Sequence, residues 1–174
     1  DVYEQTQKYI QNNRQAMLDK AQLMDLGVVA AGGAMQLSSP AFVHQGPIPA
    51  VHTCEGRDRA PALAWTPAPT VARSLVLIVH DPDAPDPKAP KRDWVHWLVY
   101  DLPPSTTHLP DGGALPDGAR QGVTDFGRVG WGGPCPPIGR HRYFFELYAL
   151  DVVLGDLGQP RRAQLEAAMR GHVL

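Results

Sequence analysis

A mainly β fold is the class this sequence predicts, and three observations carry the prediction. Glycine and proline number 17 and 18 of 174 residues, high for a helical bundle and natural for short strands joined by structured loops. Apolar residues, 43% of the chain, gather in runs, which argues against disorder. Residues 74–80 (SLVLIVH) are near-continuously apolar, as in a central strand buried on both faces.

The elements follow in order. Residues 1–34 differ from the rest: rich in Gln, Asn, Lys and Met, they carry Tyr3, Ile10, Met17 and Met24 at a seven-residue repeat. That spacing predicts one narrow apolar stripe on a helix, with Gly27 as its C-cap and Ala30 to Ala34 as a flexible joint. This segment reads as a helical extension to a domain of residues 35–174, or as a docking helix for a partner. Residues 62–65 form a short strand candidate, and residues 94–102 and 142–151 are longer, aromatic-rich ones. Pro103-Pro104 and Asp111-Gly112-Gly113 mark turns. The best helix within the domain runs from Pro160, at the first helical position, to about Arg170, with Gly171 just past its end.

Composition excludes some functions. Sixteen basic against 18 acidic side chains leave a formal charge of −2, so nucleic-acid binding is not expected. The apolar runs fall well short of the roughly 20 residues of a membrane span. No charged n-region and apolar core open the chain, so a cytoplasmic location is expected, with the periplasm or secretion as the alternative. Cys54 and Cys135 are too few for a disulfide scaffold; Cys135 reads as a small buried residue or as the partner of Cys54.

Two segments carry the candidate chemistry. Asp81 and Asp83, in DPDAP, stand just past the buried run at a spacing that points both the same way in an extended chain. The glycine-proline run from Gly133 to Gly139 is a stiff loop that loses little entropy on binding and delivers His141, Arg142 and Tyr143 at a strand mouth. Gly133, Pro134, Pro136 and Pro137 form one wall, and Ala84 and Pro85 the opposite lip. His96 interrupts an apolar strand. In isolation, DPD reads as a turn and a strand histidine as a core residue. Together the segments read as two halves of one small polar pocket, and two imidazoles beside a carboxylate would change charge between about pH 5 and 8. A metal site is disfavoured by the absence of HxH, HxxxH or CxxC spacing, and no cofactor is expected. His44, His52, His80, His108 and His172 have no motif around them and read as mostly solvated.

These segments also carry a resemblance. DPDAP followed by VHWLVYDLP, and then GWGGPCPPIGRHRYFFELYALD, are similar to the two signatures of the phosphatidylethanolamine-binding proteins, or Raf-kinase-inhibitor-like proteins, in their bacterial and archaeal form. The likeness covers about Met35 to the end. It implies a large antiparallel sheet with a second smaller sheet and peripheral helices. It also implies an anion pocket lined by Asp81, with Asp83 close behind or bonded to the loop, His96 facing His141, and Tyr143 as a phenolic donor at the rim. Arg142 is then structural, pairing with an acid such as Asp125 or Asp151. A cis bond between Arg92 and Asp93 is implied as well, set against an ordinary trans loop.

The function expected is binding of a small anionic, phosphorylated ligand or headgroup, with a regulatory or inhibitory role towards a protein partner such as a kinase or protease. The alternatives are a hydrolase with a His/Asp acid-base set, including a Cys135–His141 pair, and an inhibitor whose pocket is only a switch. The oligomeric state is left open, a homodimer included.

Overall fold

The computed structural model describes residues 35–174; the helix expected within residues 1–34 lies outside the described residues. Two antiparallel sheets make up the fold. The larger has the order β6-β4-β3-β7, built from β3 (Ser74–Ala84), β4 (Arg92–Leu102), β6 (Arg120–Gln121) and β7 (Phe144–Leu150). The smaller has the order β1-β2-β5, from β1 (Leu37–Ser38), β2 (Leu63–Trp65) and β5 (His108–Leu109). One hydrophobic cluster joins residues of both sheets, with Trp97, Tyr100, Tyr143, Phe145 and Tyr148 among its largest side chains.

The apolar run read from residues 74–80 is the centre of β3, paired with β4 on one side and β7 on the other. Its residues from Ser74 to Val79 are all buried, as in a strand covered on both faces of its sheet. The strand does not stop at His80 but continues through the DPDA segment to Ala84, because β4 accompanies it as far as Arg92. Peripheral helix is sparser than expected: among the described residues there is one α-helix, α1 (Arg162–Met169), and one 3-10 turn at Ala50–His52. Pro160 is not the first helical position. Arg161 is the N-cap, and the Pro160 carbonyl instead accepts the Val123 amide at 2.8 Å, which holds it outside the helix. Gly171 follows the helix at φ +83°, a conformation glycine adopts at no steric cost.

The pairing of β3 with β4 shifts where the site begins. Val79 pairs with Trp97 and His80 with Val95, so His96 is the extra residue of a β-bulge. Strand alternation then separates two faces. Val79 and Asp81 share one with Phe145, which packs against Phe42 and Trp131. Ile78 and His80 share the other with Glu146, the partner of Ile78 in β7.

Two expectations about histidines are corrected, the first of them on that second face. His80 is buried, its Nδ1 2.7 Å from Asp93 Oδ1 and its Nε2 against Glu146. Glu146 also accepts the Tyr148 hydroxyl, while Arg162 from α1 reaches Asp93 at 2.9 Å. Burial alone would lower the His80 pKa, but Glu146 and the hydrogen bonds of Asp93 and Glu146 outweigh it and leave it raised. His52 is buried too, its Nδ1 2.8 Å from the Arg59 carbonyl. His80, a polar residue at the end of an apolar run, was read as solvated, although its buried partner Glu146 lies far along the chain.

The Arg92–Asp93 bond is trans; the cis bond among the described residues is Ala84–Pro85. Arg92 already belongs to β4, paired with Ala84, and the connecting loop closes with the Lys91 amide on the Ala84 carbonyl at 2.8 Å. An ordinary extended backbone therefore suffices at Arg92.

Candidate functional site

The site lies at the end of the large sheet where β3, β4 and β7 converge. Asp81 pairs with Trp94 in β4, and one step further along the β3–β7 register Tyr143 stands opposite it. A cavity of about 210 Å³ opens there, below the range typical of drug-sized ligand sites. It is lined by Asp81, Ala84, Pro85, Trp94, His96, Phe126, Pro137, His141 and Tyr143, with Cys135 and Pro136 completing one wall.

Of the residues read from sequence, Asp81, Ala84, Pro85, His96, Pro137, His141 and Tyr143 are thus brought together, while Asp83, Gly133 and Pro134 do not line the cavity. Asp83 sits behind it and binds Arg142, through the amide at 2.8 Å and through Nε and Nη2 at 3.0 and 2.9 Å. Arg142 therefore pairs with Asp83 and not with Asp125 or Asp151, which are held by Arg92 and His172. Burial would raise the Asp83 carboxyl, but the bonds from Arg142 outweigh it and hold it low. Gly133 is packed so closely on the His52 carbonyl and Asp58 that a Cβ would collide with both. It anchors the wall from behind.

Trp94 and Phe126 were not among the ligand-binding residues named from sequence, although Trp94 belongs to the segment that carries His96. Phe126 comes from the loop after β6 and meets Trp94 and His96 edge-on, with ring centroids 5.4 Å away in each case. The only sequence signal was an aromatic residue placed between turn formers in Asp125-Phe126-Gly127.

The two imidazoles do not face each other directly. Tyr143 lies between them, 5.2 Å from His96 edge-on and 6.4 Å from His141 in a stacked arrangement. Their protonation differs. His96 Nδ1 donates to the Gly132 carbonyl at 2.5 Å, and the Gly132 amide returns a bond to the His96 carbonyl at 2.9 Å. Burial pushes the His96 pKa down to about 4, so the ring is neutral at physiological pH and its Nε2 is an acceptor. The expectation that both rings change charge between about pH 5 and 8 fails for His96.

His141 is held at both nitrogens. Nδ1 lies 2.5 Å from Asp81 Oδ2, and Nε2 donates to the Ile138 carbonyl at 2.9 Å. A carbonyl only accepts, so Nε2 carries a hydrogen, and a further proton is shared between Nδ1 and Asp81. Burial raises the Asp81 carboxyl, and the bonds from His141 and the Asp83 amide draw it part of the way back. The amides of Gly132 and Gly133 are already engaged, Gly132 with the His96 carbonyl and Gly133 with Asp58 at 2.8 Å.

Comparison with known proteins decides the family. The family model described as Phosphatidylethanolamine-binding protein matches residues 38–174. The chain belongs to the phosphatidylethanolamine-binding protein family. Relatives of this family member include a UPF0098 protein of Methanothermobacter thermautotrophicus, 48% identical over 145 residues that span 80% of this chain and 92% of the relative. A UPF0098 protein of Aquifex aeolicus is 42% identical over 161 residues, 87% of this chain and 90% of its own. The phosphatidylethanolamine-binding protein homologue of Chlamydia trachomatis superposes with a TM-score of 0.76 at 43% identity, covering 82% and 92% of the two chains. Escherichia coli YbcL, described as a new member of the mammalian family, gives 0.72 at 31% identity, covering 82% and 93%. Among the described residues, no helix of this family member is long and apolar enough to cross a membrane.

Proposed function

We propose that this protein binds a small ligand bearing an anionic oxygen, a phosphorylated headgroup being the leading class, in the Asp81–His96–His141–Tyr143 cavity. The observation that carries the reading is the His141 Nε2–H group, a donor on a ring held by Asp81 and already aimed at an oxygen, the Ile138 carbonyl. A phosphate or carboxylate oxygen would take the place of that carbonyl and gain a charge-assisted bond. Neutral His96 supports the other half of the ligand: its acceptor nitrogen suits an amine or hydroxyl donor. The cavity's size fits a headgroup and not the bulk of a lipid.

The catalytic alternative has less support. Its thiol nucleophile was Cys135, and that sulfur is bonded to Cys54. A protein partner, kinase or protease, would meet the pocket at its exposed lip, where Ile138 shows 55% of its surface. The disulfide favours an oxidising compartment over the cytoplasm.

Calorimetry with phosphoethanolamine and with inorganic phosphate tests the reading. His141→Ala is expected to weaken binding by roughly tenfold or more, the loss of one charge-assisted hydrogen bond, while the far-UV spectrum stays unchanged. Unaltered affinity in His141→Ala, or no binding by the wild-type protein, would sink it.

A further inference from the structure

Cysteine is normally among the most buried residue types, yet Cys54 and Cys135 are both exposed, and they are joined to each other. Cys135 also lines the cavity, between Pro134 and Pro136. Cys54 belongs to the segment on which the glycine-proline loop is seated. Three bonds fix the start of that loop without the sulfurs: Trp131 Nε1 donates to the His52 carbonyl at 3.2 Å, the Gly133 amide to Asp58 at 2.8 Å, and the Cys54 amide to the Pro134 carbonyl at 3.1 Å. The next positions are different. Pro136 and Pro137 have no amide hydrogen, so neither can donate a backbone bond that would pin the part of the wall facing the cavity. The covalent tie sits at the junction between the anchored and the cavity-facing parts.

From this placement we infer that the Cys54–Cys135 disulfide is a thiol-exchange site that sets the pocket wall, closing it when oxidised and releasing it when reduced. Exposed disulfides are the ones open to attack, because exchange needs a thiolate to reach a sulfur. The redox partner is a dithiol of the kind carried by a protein oxidoreductase. Its first thiolate attacks one sulfur of the pair and expels the other as a thiolate. Its second thiol resolves the mixed disulfide. Two electrons pass, the partner leaves as a disulfide, and Cys54 and Cys135 become thiols with two protons. A protein disulfide of the same class reverses the reaction. Release of the wall also slackens the residues that follow Cys135, so the shape of the cavity changes.

The inference rests on the ligand-binding reading for its output, and two readouts separate them. The full chain is titrated with phosphoethanolamine in its oxidised form and after reduction by dithiothreitol, and backbone amide exchange is followed for both forms without ligand. Reduction under native conditions is expected to weaken binding by roughly tenfold and to speed exchange within residues 135–140, leaving β3 and β4 protected; reoxidation restores both. The double variant Cys54→Ala, Cys135→Ala should match the reduced form and ignore dithiothreitol. Failure of phosphoethanolamine to bind either form counts against the ligand reading, and exchange then decides the inference alone. Unchanged exchange at 135–140, a bond that resists dithiothreitol until the protein is denatured, or loss of protection throughout the fold would each overturn it, the last two showing a purely structural crosslink.

Discussion

Replacing His80 with alanine is expected to destabilise the protein by about 3–5 kcal/mol, the range for breaking a buried ion pair from one side. His80 lies between two carboxylates, Asp93 and Glu146, on the face of the large sheet opposite the cavity. Removing the ring takes a hydrogen-bond partner from Glu146, itself buried, which also accepts the Tyr148 hydroxyl and lies within the field of a more distant Arg162. A buried carboxylate that loses its histidine partner must take up a proton or draw in water, and either is costly. The damage would reach the site, because His80 precedes Asp81 in β3 and Asp93 precedes Trp94 in β4. The double variant His80→Leu, Glu146→Leu removes both charges and should recover much of the loss, since apolar replacement of a whole buried pair is often neutral. Urea unfolding with an unchanged slope measures both. A single-variant loss below about 1 kcal/mol, or a double variant no better than the single, would contradict this account.

The central strands were legible because they are buried on both faces, which leaves a run of apolar residues at β3 and an aromatic run at β7. The two halves of the pocket were legible for a different reason: DPDAP and the glycine-proline loop carry residue types that ordinary strands avoid. What escaped depends on pairing between distant segments. Strands of two residues, such as β1, β5 and β6, show no periodicity at all. The bulge at His96 exists only in the register of β4 against β3. Arg142 was assigned an acid nearer in the chain, Asp125 or Asp151, yet its partner Asp83 lies across the β3–β7 junction, 59 residues earlier. The burial of His80 depends on Glu146, 66 residues away, so local pattern could not reveal it. Protonation was the least legible property, since His96 owes its low pKa to depth of burial.

Stability should therefore peak near neutral pH, with a different histidine responsible for each limb. His96 has a pKa of about 4 in the fold against 6.5 for an unperturbed imidazole. Between those values the unfolded chain binds a proton that the folded protein excludes, so stability falls as pH drops from 6.5 towards 4. The full difference corresponds to about 3 kcal/mol at roughly 1.4 kcal/mol per pK unit. Asp93, held at about 2 against an ordinary 3.8, adds to the acid loss only below 3.8, and its partial exposure weakens the effect. Asp81, whose carboxyl is raised by burial, binds its proton more readily in the fold and offsets part of the acid loss. His80 acts in the opposite sense. Its pKa is raised in the fold, so its contribution is complete below 6.5 and disappears as pH rises through the folded value. Urea midpoints measured from about pH 4.5 to 8.5 should trace a dome. His96→Phe should flatten the acid limb without touching the alkaline one, and His80→Leu, Glu146→Leu should do the reverse. An acid limb unchanged in His96→Phe would mean that the imidazole takes up its proton as readily in the fold as in the unfolded chain, and the acceptor role assigned to its Nε2 would fail on the acid side.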